Sequence, residues 1–232
     1  MLNHPGASGY DPKRRTAMRY MEEEEFDGIY LRSRAILNDP GVTRMVVLRD
    51  PVRRVVSAYL DKIAKPKRWR HSESMVLVRE LRSTLGVSVE PAEVSFAMYL
   101  RYLEHVPNWR RDRHVQLQTR MIGSHTFDYY GTVEDMVAVE QFLEGRGFRM
   151  FNRSEANPAV FKATPYGDHE SANRASALTP AQLAEYSEYP PAEVFMSAET
   201  LERIGRIYAH DVIAYCRVTG ESTVEFWRRY GA

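Results

Sequence analysis

The sequence predicts an α/β fold of three layers built on a mostly parallel sheet. Three observations point there. A short β-branched run, Thr43 to Leu48 (TRMVVL), follows Gly41 and reads as a buried strand. Asp50-Pro51 comes directly after it, so a helix starts where the strand stops. Further on, stretches of helical spacing alternate with short apolar runs, the pattern of strands and helices packed in layers.

Local chemistry justifies each element. Asp is a strong N-cap, and Pro suits the first helical turn because its missing N–H would be unbonded there. Val52, Val55, Val56, Tyr59 and Ile63 recur at helical spacing, which predicts a helix from Pro51 to about Ile63. Lys65 to Ser74 is polar and reads as a loop. Pro91 to Glu104 reads as a helix with Phe96, Leu100 and Leu103 on one side. Phe127 to Tyr130 is a short strand, Val133 to Leu143 a helix ending at Gly145, and Phe148 to Phe151 one more strand. Asn152 to Ser176 reads as a long surface loop. A last helix covers Ala198 to Tyr215, with Leu201, Ile204, Tyr208 and Val212 facing inward. Ahead of all this, Met1 to Arg15 is an irregular lead-in and Thr16 to Leu37 is helical in pattern with a weak apolar face.

Composition narrows the class. The 232 residues suit one α/β domain, and 44% hydrophobic with 27% charged residues is ordinary for a soluble globular chain. A formal charge of +1 gives no bulk attraction for nucleic acid. The charged runs Glu22 to Glu25, Lys65 to Arg70 and Arg110 to Arg113 read as solvated faces, and the last also suits attraction of an anionic acceptor. Cys216 is the only cysteine, so no intrachain disulfide forms and a reducing compartment is favoured. No apolar stretch is long enough to span a bilayer, and Met1 to Tyr10 has no signal-peptide core. A cytoplasmic protein is expected, and no metal ligands are assigned.

The most informative stretch is Leu48 to Lys62, LRDPVRRVVSAYLDK. It places Arg49 at the C-terminal end of a strand with a helix N-terminus next to it. Free backbone N–H groups and the helix dipole make such a point an anion site. Arg53, Arg54 and Ser57 lie about a turn apart, so cations and a hydroxyl can share that site. Taken alone, the same residues also suit a helix start that binds nothing, with Arg53 and Arg54 paired to Asp50 on the surface.

The stretch resembles the RDPxxRxxSxY motif of the PAPS-dependent sulfotransferases, of the carbohydrate (family 2) type. In that family the motif holds the 3′-phosphate of PAPS, the sulfuryl donor. The resemblance implies donor-binding roles for Arg49, Arg54 and Ser57, with Tyr59 at the motif's aromatic end. Other matches follow in order. Asp112 to Gln118 (DRHVQLQ) resembles the family's D-x-H-W-x-P-Q segment, and Phe127 to Glu134 (FDYYGTVE) its YDYIGKxE segment. Asn152-Arg153-Ser154 resembles a short N-x-S segment, and Ile207 to Asp211 (IYAHD) the terminal IYAxD helix. The resemblance covers about Thr43 to Tyr215 and leaves residues 1–40 as a divergent lead-in. It implies a P-loop-like sulfotransferase core. The family's opening strand and PKxGxT loop, which cradles the 5′-phosphosulfate, is matched only by Pro12-Lys13 with Thr16. No apolar strand precedes these residues and no Gly lies among them, so the chain is expected to lack that strand and loop.

The resemblance implies transfer of a sulfuryl group from PAPS to a carbohydrate hydroxyl. Such transfer proceeds in line through a loose transition state, where positioning and charge stabilisation matter most. His114 is the candidate base, with Asp112 or Glu134 orienting or replacing it. The alternative is a non-catalytic or truncated relative that only binds the nucleotide 3′-phosphate or a partner. A kinase-type GxxxxGK[ST] loop is not present in the sequence.

Overall fold

The computed structural model describes residues 39–65, 72–123, 125–148, 175–185 and 190–231. The expected Thr16–Leu37 helix, the Asn152-Arg153-Ser154 segment, and most of the Phe148–Phe151 strand and Asn152–Ser176 loop lie outside them. The chain divides into two compact units, Met1–Arg44 with His125–Asp128, and Met45–Ser124 with Tyr129–Ala232. In the first, Arg44 N donates to Asp128 Oδ2 at 2.7 Å and Asp128 N to the Arg44 carbonyl at 2.8 Å. The second holds both strands and every helix among the described residues.

Strands β1 (Met45–Leu48) and β2 (Tyr129–Thr132) pair in parallel, Met45 opposite Tyr129 and Leu48 opposite Thr132. Among the described residues this is the whole sheet, so β1 is only partly covered. Leu48 is buried, while Met45, Val46 and Val47 are half-buried. Each strand runs straight into a helix at its carboxyl end. Helix α1 (Pro51–Tyr59) follows β1 and continues into a π-turn at Leu60–Ala64. Beyond β2, a 3-10 turn at Val133–Asp135 leads into α5 (Met136–Glu144), which Asp135 caps by accepting from Ala138 N at 3.2 Å. The start and length expected for the helix after Asp50 thus hold, with a change of winding in its last turn.

Between the strands lie α2 (Ser72–Leu85), α3 (Phe96–His105) and α4 (Gln118–Ile122). The expected Pro91–Glu104 helix is two pieces, a 3-10 turn at Pro91–Glu93 and then α3. Ser95 is the cause: its hydroxyl caps α3 by accepting from Met98 N at 3.3 Å, which needs extended backbone at that residue. Val94, fully buried, uses its carbonyl to accept from Tyr59 Oη at 3.0 Å. After β2 come α6 (Pro180–Leu183), α7 (Ala198–Thr219) and α8 (Thr223–Arg228). Leu201, Ile204, Tyr208 and Val212 of α7 are buried, as their spacing predicts.

The core is aromatic at its centre. Tyr59, Phe96, Tyr99 and Phe195 meet with ring centroids 5.3 to 6.2 Å apart. A second group, Tyr215, Phe226 and Tyr230, holds α8 against α7. No helix among the described residues is long and apolar enough to cross a membrane.

Buried phenols set an alkaline limit. Burial pushes the hydroxyls of Tyr99, Tyr208 and Tyr230 up from their ordinary range, and that of Tyr215 up to about 12. An unfolded tyrosine ionises near pH ~10. The phenols' contribution is therefore intact below about pH 10 and is lost as pH rises through the folded-state values. Burial raises the Cys216 thiol as well, so the urea midpoint should begin to fall from about pH 8.5 and fall more steeply beyond about pH 10. A flat midpoint throughout the alkaline range would remove the burial argument.

Candidate functional site

Leu48 and Thr132 end their strands side by side, and parallel sheets form ligand crevices at the carboxyl ends of strands. Arg49 is the first residue past β1. Its neighbour Asp50 shapes the turn. The Asp50 side chain is fully buried, and Oδ1 accepts from Val52 N at 2.8 Å and Arg53 N at 3.2 Å. Its carbonyl accepts from Arg54 N at 2.9 Å, and Pro51 has no N–H. The free N–H groups expected at this helix start are therefore taken, because the N-cap satisfies them itself. An anion bound here is left to the side chains and the helix dipole.

A buried carboxylate needs compensation. Asp50 Oδ2 accepts from Tyr230 Oη at 2.7 Å and from Arg229 Nη1 at 3.3 Å. Arg229 also bonds Glu221 and lies 5.1 Å from the Phe226 ring centroid. Asp50 N donates to the Glu134 carboxylate at 3.2 and 3.3 Å, and Tyr215 Oη donates to Glu134 Oε2 at 3.3 Å. Glu134 thus braces the turn.

The Arg49 peptide is gripped on both sides. Arg49 N donates to Gln118 Oε1 at 2.9 Å, and Gln118 Nε2 donates to the Arg49 carbonyl at 2.8 Å. The half-buried Arg49 guanidinium makes no hydrogen bond or ion pair with any described residue, and neither does the half-buried Ser57 hydroxyl. Ser57 lies about 9 Å along α1 from Pro51 at 1.5 Å per residue. Arg53 shares its face at i, i+4 and reaches Glu193 Oε1 at 3.1 Å.

Arg54 is differently placed. It is buried, and its terminal nitrogens donate to the carbonyls of Gln116 at 2.6 Å and Arg113 at 3.1 Å, with Asp211 Oδ2 at 3.7 Å. Burial lowers its proton affinity, Tyr208 and Asp211 oppose that, and the neighbouring Arg49 charge adds to it. Neither Arg53 nor Arg54 makes a side-chain bond to Asp50.

The Arg54 bonds straddle His114. The same segment is held by Tyr208 Oη on the Val115 carbonyl at 2.8 Å, at a point where α7 departs from helical geometry (φ −120°, ψ 21°). Asp211 caps α4, its carboxylate accepting from Gln118 N at 2.8 Å and Thr119 N at 2.9 Å. The backbone is fixed while the His114 side chain stays exposed. Asp112 Oδ1 accepts from His114 N at 2.9 Å and lies 2.6 Å from Nδ1. The carboxylate can only accept, so Nδ1 carries the proton, which in the neutral tautomer leaves Nε2 as the acceptor.

The structure thus joins Arg54 to the His114 turn and Arg49 to Gln118. No hydrogen bond links His114 to Arg49 or Ser57. Arg110 and Arg111 are not merely solvated: Arg110 pairs with Glu80 at 2.7 Å, and Arg111 bonds the Leu103 and Val106 carbonyls. Gln118, Tyr208 and Asp211 sat inside the matched segments without an assigned role. Arg229 and Tyr230 were missed, although Ser222 and Glu225 form a readable capping box before them. Among the described residues no group of three or more His, Cys, Asp or Glu is placed to hold a metal ion.

A family model described as the sulfotransferase family matches residues 34–216. No curated protein and no solved structure gives a significant match.

Tyr230→Phe removes the shortest bond to the buried Asp50 carboxylate and keeps the ring. It should cost about 2 kcal/mol of stability, as loss of a hydrogen bond to a buried charge does. Urea unfolding followed by circular dichroism measures this, and an unchanged midpoint would show the bond to be dispensable.

Proposed function

The chain belongs to the sulfotransferase family, and on that premise we propose that it moves a sulfuryl group from PAPS to a hydroxyl of a carbohydrate acceptor. The observation that supports this reading best is Arg49. Its peptide is fixed on both sides at the end of a parallel strand, and its guanidinium has no partner among the described residues. A partly desolvated cation gains from an anion, and a guanidinium matches phosphate oxygens in two-pronged fashion.

We assign Arg49 and Ser57 to the donor's 3′-phosphate. Arg54, matched by resemblance to the same motif, acts by fixing the segment that carries His114. Residues 1–232 are read as one sulfotransferase-like domain, with the two strands as part of a three-layer, P-loop-like parallel sheet.

PAPS supplies the activated sulfuryl group. His114 Nε2 takes the proton of the acceptor hydroxyl as that oxygen bonds to sulfur. The bond from sulfur to the 5′-phosphate oxygen breaks, and adenosine 3′,5′-bisphosphate leaves with the electron pair. Asp112 steadies the imidazolium so formed. A loose transition state asks mainly for positioning, which the bonds to the Arg113, Val115 and Gln116 carbonyls provide.

Arg49→Ala should weaken binding of adenosine 3′,5′-bisphosphate by about 2 kcal/mol, roughly 30-fold, in calorimetry. Unchanged affinity in a folded variant would remove the assignment. His114→Ala should lower turnover by about two to four orders of magnitude with nucleotide affinity unaltered. Wild-type protein that binds the nucleotide but sulfates no member of a glycan panel would instead be a binding-only relative.

A further inference from the structure

A cavity of about 260 Å³ lies between the π-turn, α2, α3 and the Asp112 turn, with Ile63, Leu77, Tyr99, Tyr102, Asp112 and Val115 in its wall. Its apolar side is well made: Ile63, Leu77 and Val115 are all buried. Tyr99 and Tyr102 are 4% and 7% exposed, and their rings stack 6.2 Å apart.

The two tyrosine hydroxyls are the telling groups. Among the described residues every other buried tyrosine donates to a protein acceptor: Tyr59 to Val94, Tyr208 to Val115, Tyr215 to Glu134 and Tyr230 to Asp50. The hydroxyls of Tyr99 and Tyr102 make no hydrogen bond to any described residue. Neither hydroxyl oxygen is sealed off from solvent, and both residues line the one cavity, so each is left to bond whatever enters it. Arg111, also in the wall, has its Nη1 buried without a partner.

We propose that this cavity binds one compact ring bearing a hydroxyl group, its face against Ile63, Leu77 and Val115 and its hydroxyl bonded to Tyr99 or Tyr102. Size sets the limit, since pockets for drug-sized ligands run from about 300 to 1,000 Å³. This one takes a single ring and not a chain of sugars. Resting on the sulfotransferase reading, the ring is the acceptor or a piece of it, because the Asp112 that holds His114 forms part of the wall. Phenols and single pyranoses share the required chemistry.

The test titrates phenol and methyl β-D-glucopyranoside separately into the full chain, followed by ligand-observed NMR. At least one should bind, and the Tyr99→Phe/Tyr102→Phe protein should bind it about tenfold more weakly, the effect of one or two lost hydrogen bonds. Adenosine 3′,5′-bisphosphate affinity should not change. The single variants Tyr99→Phe and Tyr102→Phe serve if the double variant fails to fold. Binding of phenol alone identifies an aromatic alcohol, and binding of the glycoside alone a sugar. If neither probe binds, or the variants bind as wild type does, the cavity proposal is overturned. A ring that binds where the nucleotide does not leaves the cavity standing and defeats the sulfotransferase reading. The reverse result defeats only the cavity.

Discussion

One buried charge organises this protein. The Asp50 carboxylate has no exposed surface, so all its bonds must come from the protein. Two come from the helix it starts and two from the last turn of the described chain. Its own N–H ties the same turn to Glu134 beyond β2. The strand end, the helix start and the C-terminal helix are therefore coupled through one residue. The same satisfaction has a chemical effect. With the backbone donors occupied and the carboxylate balanced by Arg229, the Arg49 guanidinium is the cation at the turn left without a partner among the described residues.

The Asp112–Gln118 segment shows a second constraint. It is mostly irregular, and carbonyls in a semi-buried irregular segment need partners that no ladder supplies. Side chains from two helices meet that need, Arg54 from α1 and Tyr208 from α7. Rigidity is thus given to the backbone while the imidazole remains in solvent. A cationic side chain that local reasoning assigns to a ligand serves here as an internal fastener.

The local parts of this structure were legible in the sequence. The Asp50-Pro51 start, the apolar spacing of α1 and the inward face of α7 all depend on neighbours within a few residues. The break before α3 was equally local, and the Ser95 cap was there to be read. What lay beyond reach was pairing at distance. Nothing around Arg54 announces that its partners are carbonyls 59 and 62 residues away. Helix α2 went unread, and its buried face holds only Leu77, Val78 and Leu81 among the described side chains. The Tyr99 and Tyr102 hydroxyls look like ordinary core aromatics in sequence, because a missing bond leaves no trace in composition.

The Tyr230–Asp50 bond spans 180 residues, and this bears on how the chain is made. At about 5–20 residues per second on the ribosome, Asp50 waits on the order of ten seconds or more for its partner to emerge. Through that interval the Asp50 side chain has only its local donors, Val52 N and Arg53 N, and water in place of Arg229 and Tyr230. Closure of so long a loop is also entropically late. The nascent chain therefore completes this turn late in folding, only once Arg229 and Tyr230 have emerged.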